Sequence, residues 1–328
     1  MDIKNFTVIG TGAYGTVLAN VLSDNGHSVT MYGIVQEEVD DIMLNHRNSK
    51  FFQDLPINEK IKATSNLDAA IENAEYIILC TPSKVIIPTL REIVKRLDRK
   101  VYIINTTKGF CEETNGLLSN AIVEELKNEK MLKDYVAIYG PSIASECIER
   151  KPTCLMSCAK KMETAQHIAE LFSNEYFKVT PTTNIIACEV SAAAKNSLAI
   201  ISGMASAMLK SDNSVSSLVS LGNLEILELA KYFGASETEY MNHSTIGDLI
   251  LTTMSPKSRN YSLGVSLATT DNPKKVLEES KMTAEGVLTC KIIHEILQKS
   301  GIKSKLFANL YEILYNYKRP SIMINKFF

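Results

Sequence analysis

The stretch Phe6-Thr-Val-Ile-Gly10-Thr-Gly-Ala-Tyr-Gly15 decides the fold. A short apolar, strand-like run enters a glycine loop, and small residues then continue at helical spacing through Ala19 to Leu22. Each glycine has its own use: Gly10 permits the tight turn, Gly12 lets a pyrophosphate approach the backbone, and Gly15 lets helix and strand pack closely. Free N–H groups at the helix start then face anionic oxygen. A glycine loop also occurs as a plain structural turn. Its place here, after a strand and before a helix, is what favours a dinucleotide.

The second strand, Ser28-Val-Thr-Met-Tyr32, runs into Gly33-Ile-Val35 with no acid at its immediate end for an adenosine ribose and no nearby arginine for a 2′-phosphate. Glu37 and Glu38 follow slightly later, where they read equally well as the start of a solvated helix. NAD and NADP both stay open, with a small lean to NAD.

Outward from this loop, strand-like runs recur at Ile61–Thr64, Tyr76–Cys80, Val101–Asn105, Val136–Tyr139, Thr153–Cys158 and Phe177–Thr180. Helical patterns fill the gaps at Leu67–Asn73, Val85–Leu97, Thr114–Leu126 and Met162–Phe172. Such alternation builds a mostly parallel sheet covered on both faces, an α/β Rossmann-type domain. Beyond Pro181 the pattern changes to long apolar-periodic stretches punctuated by Gly and Pro, with little strand signal. The expected organisation is an α/β domain over 1–182 and an all-helical domain over 183–328. A length of 328 residues, against ~150 for a typical domain, fits two cores.

Composition narrows the function classes. Formal charge is -2, from 35 Lys+Arg against 37 Asp+Glu, which does not favour a nucleic-acid backbone binder. The seven cysteines are scattered without metal-ligand spacing, and Cys154 and Cys158 lie in a strand-like run, so reduced thiols in the cytoplasm are the simpler reading. The five histidines form no His-x-His or His-x-x-x-His group, and no metal is expected. No uninterrupted apolar run reaches the ~18 residues of a membrane span. The nearest, Ile185 to Leu209, contains Glu189 and Lys195 and reads as a buried helix rather than an integral membrane segment.

Chemistry gathers in a few places. The strand ends Thr81-Pro82-Ser83, Asn105-Thr-Thr-Lys-Gly109 and Gly140-Pro-Ser142 lie where open α/β sheets bind ligands, although Gly and Pro also punctuate ordinary turns. Lys108 reads either as a cation for a phosphate or carboxylate or as a surface lysine. In the helical half, Lys195 sits amid alanines and serines in Cys188-Glu-Val-Ser-Ala-Ala-Ala-Lys-Asn-Ser-Leu-Ala-Ile200, where its ammonium must be paired or open to a cleft. Asn196 beside it offers donors and an acceptor for a hydroxyl or carbonyl. Asp248 reads as the partner of Lys195 or as a helix cap, with Thr252 one turn later on the same face. Arg259, next to Asn260, offers the planar grip suited to a phosphate. A dinucleotide loop joined to a lysine and a phosphate clamp points to reversible hydride transfer on a small phosphorylated alcohol.

The ordered blocks Gly10-Thr-Gly-Ala-Tyr-Gly15, Asn105-Thr-Thr-Lys-Gly109, Gly140-Pro-Ser-Ile-Ala-Ser-Glu146, Ala194-Lys-Asn196, Gly247-Asp-Leu249 and Ser258-Arg-Asn260 cover nearly the whole chain. In combination they closely resemble the NAD(P)-dependent glycerol-3-phosphate dehydrogenases, especially the bacterial soluble form. The resemblance implies a helical domain of the 6-phosphogluconate dehydrogenase C-terminal type. It also implies interconversion of sn-glycerol 3-phosphate and dihydroxyacetone phosphate, feeding phospholipid synthesis, in a homodimer. By the same resemblance Lys195 exchanges the proton and Asp248 supports it, Lys108 and Asn196 contact substrate, and Thr252, Arg259 and Asn260 hold its phosphate end. Cofactor contacts are implied for Gly10, Thr11, Gly12, Ala13, Tyr14, Gly15, Pro82, Lys108, Ala144, Arg259 and the segment Ala284-Glu285-Gly286. Three departures stand out: Tyr14 where the family often has Trp, Ile34 where a basic or polar group often follows the second strand, and Asn242-His-Ser-Thr-Ile-Gly247 where a glycine-rich approach to Asp248 is usual.

Two rival readings remain at this stage. A β-hydroxyacid or sugar-acid dehydrogenase would turn over a carboxylated alcohol without needing the phosphate. A nicotinamide-sensing binding protein would have lost turnover, which the presence of Lys195, Asp248 and Arg259 argues against.

Overall fold

The structure is a computed structural model that describes residues 2–128, 130–238, 240–279 and 285–325. Contacts divide the chain into two compact units, one formed by Met1–Lys108 with Leu118–Ile185, the other by Gly109–Leu117 with Ile186–Phe328. A single cut between 182 and 183 therefore leaves out one excursion of the chain, the segment Gly109–Leu117.

In chain order the strands are β1 (Asn5–Ile9), β2 (Ser28–Tyr32), β3 (Lys62–Thr64), β4 (Tyr76–Leu79), β5 (Val101–Asn105), β6 (Phe110–Cys111), β7 (Gly116–Leu117), β8 (Leu132–Tyr139), β9 (Thr153–Ala159) and β10 (Phe177–Thr182). The first unit is built on one sheet in the order β10-β9-β8-β5-β4-β1-β2-β3. Neighbours pair in parallel except β8 with β9, so β9 and β10 run against the others. The sheet is mostly parallel, as the alternating pattern predicts. Its central strands are mostly buried, and Tyr76-Ile-Ile-Leu79 is buried at every residue, which is why they read as continuous apolar runs rather than alternating ones.

From β1 the chain moves one way to β2 and β3, and the other way to β4, β5 and β8. This reversal is the topological switch point, and the loops following β1 and β4 border it. The crossover helices form two groups: Ala13–Asp24 packs with Ala144–Ile148 and Met162–Phe172, and Ser83–Val94 packs with Leu118–Asn128. Right-handed crossovers on either side of β1 demand such a division.

The helix expected over 114–126 runs instead over Leu118–Asn128. The preceding residues turn at Asn115, where φ is 49°, and close the β6–β7 hairpin. Two-residue strands leave no periodicity in the sequence, so this hairpin was illegible there. Its Phe110 and Leu117 belong to the core of the second unit.

That second unit is helical around the 25-residue helix Ile185–Leu209. The helix is long and apolar enough to cross a membrane, yet 94% of its most apolar window is buried within the protein, as befits a core helix. Small residues let its backbone be approached closely. A Cβ on Gly203 would lie 2.1 Å from the Tyr261 carbonyl oxygen, and a Cβ on Gly264 would lie 2.1 Å from the Ile200 carbonyl oxygen. Helices Ile185–Leu209 and Arg259–Ala268 thus cross backbone against backbone through a reciprocal pair of glycines. The first carries Lys195 and Asn196; the second carries Arg259 and Asn260.

A methyl group at this crossing has no flexible side chain to displace, only main chain. Gly264→Ala is therefore expected to cost at least about 1–3 kcal/mol, read as a lower denaturation midpoint. An unchanged midpoint would refute the close crossing.

Candidate active site

In the first unit the glycine loop forms at the switch point. Gly10 has φ of 119°, and its N–H donates to the Tyr32 carbonyl at 2.8 Å, tying the loop to the end of β2. A Cβ there would come 3.0 Å from the Cys80 carbonyl oxygen at the end of β4. On Gly15 it would come 2.5 Å from the Gly10 carbonyl oxygen, whereas on Gly12 it would meet nothing within 4 Å. Gly10 and Gly15 thus serve packing, and Gly12 faces open space where a ligand's anionic group can approach. Gly12 is also the N-cap of helix Ala13–Asp24, whose first-turn N–H groups have no carbonyl partner within the helix. Thr11, Ala13 and Tyr14 complete the loop, and the Asn48 amide fixes it from behind, donating to the Thr11 carbonyl at 2.8 Å and the Thr16 hydroxyl at 2.7 Å. This cradle fits a dinucleotide pyrophosphate, held by backbone N–H groups and the helix dipole.

The other strand-end loops of this unit are bonded to one another. Thr107 Oγ1 donates to the Thr81 carbonyl at 2.7 Å, and the Asn105 amide donates to the Tyr139 hydroxyl at 3.0 Å. Pro82 is exposed at the cap of helix Ser83–Val94, Ala144 opens the helix Ala144–Ile148, and Lys108 is half-buried at the end of its loop.

In the second unit Lys195 and Asp248 form a buried ion pair. Lys195 Nζ is 2.8 Å from Asp248 Oδ1, with side chains 4% and 2% exposed. Lys195 also donates to Thr252 Oγ1 at 2.5 Å, and that hydroxyl donates to the Asp248 carbonyl at 2.6 Å. The i, i+4 spacing of Asp248 and Thr252 puts both acceptors on one face; of the two alternatives for Asp248 the structure shows the partner of Lys195, since the N-cap of helix Asp248–Met254 is Gly247 and Asp248 is its first residue.

What aims Asp248 is a π-helical turn, His243–Gly247, directly before it. Asn242 caps this turn, its side chain accepting from the N–H groups of Ser244 and Thr245 while Thr245 Oγ1 accepts from the Asn242 N–H. Thr245 also bonds the Tyr240 carbonyl. Burial pushes the Tyr240 phenol up to about 12, so it stays neutral and donates to Asn223 at 2.9 Å. The sequence departure at 242–247 is thus a capped turn. Its signal, Asn followed by Thr three residues on, is a capping box and was available in the sequence.

A second polar cluster adjoins the lysine in sequence. Asn260 donates from Nδ2 to Asn196 Oδ1 at 3.2 Å and accepts from the Gly286 N–H at 3.1 Å. Asn196 Nδ2 reaches Glu285 Oε2 at 3.4 Å, and Ser197 donates to the Gly286 carbonyl at 2.7 Å. A Cβ on Gly286 would lie 2.5 Å from the Asn196 carbonyl oxygen, so only glycine allows this approach. Ser258 caps helix Arg259–Ala268, accepting from the Tyr261 N–H at 3.3 Å. Arg259 is exposed at its start and has no partner among the described residues. Ala284 lies outside the described residues.

The expected residues thus gather as the loop Gly10–Gly15 in one unit, and as Lys195–Asp248–Thr252 and Asn196–Asn260–Glu285 in the other. Sequence reasoning missed the role of Asn242, the amide-to-amide bond of Asn260, and the bond between Thr11 and Glu38.

Comparison with known proteins follows the same two halves. The profile of the NAD-dependent glycerol-3-phosphate dehydrogenase N-terminus matches residues 5–165, and that of the C-terminus matches 184–325. The chain belongs to the NAD-dependent glycerol-3-phosphate dehydrogenase family. A relative named glycerol-3-phosphate dehydrogenase [NAD(P)+] from Mesoplasma florum is 45% identical over 100% of this chain and 98% of its own length. Another of that name from Streptococcus uberis is 34% identical over 96% and 93%. Among solved structures, the glycerol-3-phosphate dehydrogenase of Coxiella burnetii superposes with a TM-score of 0.90 at 25% identity, covering 99% of this chain and 98% of that one. A D-mandelate dehydrogenase shares the fold alone, with a TM-score of 0.62 and 12% identity over 98% of this chain and 99% of that one.

A buried ammonium deprived of its counter-charge is costly. Asp248→Ala is expected to lose about 3–5 kcal/mol in chemical denaturation, and the double variant Lys195→Met/Asp248→Ala to recover much of it. If the single variant unfolds at the wild-type midpoint, the ion pair described here does not hold the unit together.

Proposed function

We propose that the chain catalyses the reversible NAD(P)-dependent oxidation of sn-glycerol 3-phosphate to dihydroxyacetone phosphate. The observation that carries this reading is the buried Lys195 ammonium, held by Asp248 and Thr252, in a chain matched along both halves by the family. The glycine loop with Thr11, Ala13 and Tyr14, together with Pro82, Lys108, Ala144, Arg259 and Glu285, is assigned to the cofactor. When bound, the nicotinamide takes up or returns the hydride of the substrate carbon.

The remaining chemistry falls to this chain's side chains. In the reducing direction Lys195 gives a proton to the carbonyl oxygen as it becomes a hydroxyl, and in the oxidising direction it takes that proton back. Asp248 keeps the lysine charged and aimed, and Thr252 fixes the third corner of the cluster. Lys108, Asn196 and Asn260 are assigned to the substrate, with Arg259 gripping its phosphate through charge-assisted hydrogen bonds. Arg259, exposed and without a partner among the described residues, is free to grip such an anion.

The reduced product is a backbone for glycerophospholipids, so supply of that precursor is the proposed role. Seven free thiols, one of them the exposed Cys154, suit a reducing compartment, and the cytoplasm is the proposed location. A homodimer is the proposed assembly, testable by sedimentation.

The decisive assay follows nicotinamide absorbance with dihydroxyacetone phosphate and either NADH or NADPH. Lys195→Ala is expected to lower kcat by about 100-fold or more while leaving cofactor binding near normal; near-normal turnover would remove Lys195 from the chemistry. Arg259→Ala is expected to raise the KM for the phosphorylated substrate and lower kcat/KM by at least about tenfold. Unchanged constants would reject the clamp.

A further inference from the structure

The usual place for a ribose ligand, the end of β2, holds Gly33 and Ile34, and Ile34 is 84% exposed. The backbone there is pressed against the glycine loop, since a Cβ on Gly33 would lie 2.4 Å from Thr11 Cγ2. Thr11 in turn donates its hydroxyl to the Glu38 carboxylate. An acid therefore reaches the loop after all, but from the following helix, Gln36–Asn45, rather than from the strand end. Glu38 is only 11% exposed, while Lys50, whose Nζ is 2.6 Å from Glu38 Oε1, is 60% exposed. Burial alone would raise the Glu38 carboxyl, but the bonds from Lys50 and Thr11 prevail and hold it below its ordinary value. The carboxylate is thus charged, fixed and adjacent to the pyrophosphate cradle.

Resting on the dinucleotide reading above, we infer that Glu38 discriminates between the two nicotinamide dinucleotides, accepting a hydrogen bond from the adenosine ribose of NAD(H) and repelling the 2′-phosphate of NADP(H), with Lys50 opposing it. A carboxylate already bonded once at each oxygen retains lone pairs for a further donor. A ribose hydroxyl supplies that donor. A 2′-phosphate supplies acceptors and like charge, which a fixed carboxylate disfavours. Lys50 lies on the solvent side of the pair and offers a cation to the same phosphate, so the two residues bias the choice in opposite directions.

The test is calorimetric titration of the full chain with NADH and NADPH, without substrate, for wild type, Glu38→Gln and Lys50→Ala. Wild type is expected to bind NADH about tenfold or more tighter than NADPH, Glu38→Gln to shrink that ratio by about tenfold, and Lys50→Ala to widen it by about threefold. The ratio within one sample cancels any loss of folded protein. If the pair merely braces the helix against the loop, both variants weaken both dinucleotides alike and the ratio stays put, which overturns the assignment. Wild type binding NADPH as tightly as NADH overturns it too while leaving the dehydrogenase reading intact. Binding of neither dinucleotide removes both.

Discussion

A lysine ammonium and an aspartate carboxylate removed from water within the helical unit set the terms for everything around them. Desolvating two such charges costs several kcal/mol each, and the loss is offset only where geometry and further hydrogen bonds are good. The fold meets that demand with main chain as much as with side chains. A capped π-helical turn aims Asp248, the next helix adds the Thr252 hydroxyl one turn on, and glycines let neighbouring helices come within backbone distance of the lysine's own helix. π-Helical turns are rare and recur at functional sites. Here the turn has a definite task, since the direction of Asp248 follows from it.

The first unit works by a different economy. Its cradle is mostly main chain: a glycine-lined loop, a helix start and neighbouring strand ends bonded to each other. Such a surface suits the diphosphate of a large, mostly invariant ligand, while the second unit holds the buried Lys195–Asp248 pair and the Asn196–Asn260 cluster, which the proposed reaction assigns to a small substrate. A dehydrogenase needs both kinds of surface, and the family profiles divide the chain along the same line.

Much of this was legible before any coordinates. Buried parallel strands announce themselves as unbroken apolar runs, and a glycine loop between strand and helix has few other uses. Lys195 was conspicuous because a charge among alanines needs a partner; Asp248 was a candidate for that partner, with helical spacing placing Thr252 on its face. What stayed hidden shares one cause: it depends on neighbours far apart in sequence or too few in number. Asn260 bonding Asn196 joins residues 64 apart, Glu38 reaches Thr11 across 27, and the β6–β7 hairpin has too few residues for any period. The turn before Asp248 is the instructive exception. Its capping pattern is local, and reading it only as a departure from family habit obscured it.

The excursion Gly109–Leu117 gives the molecule an unusual thread count. The polypeptide passes from one compact unit to the other after Lys108, returns at Leu118, and crosses again at Ile185. During synthesis, Phe110 and Leu117 leave the ribosome long before the helices whose core they join. The nucleotide-binding half must then fold around an unfinished tab that waits for its partners. No one scissile bond can separate the halves cleanly: severing the chain near residue 185 strips the helical half of two core side chains and leaves them bare on the other piece.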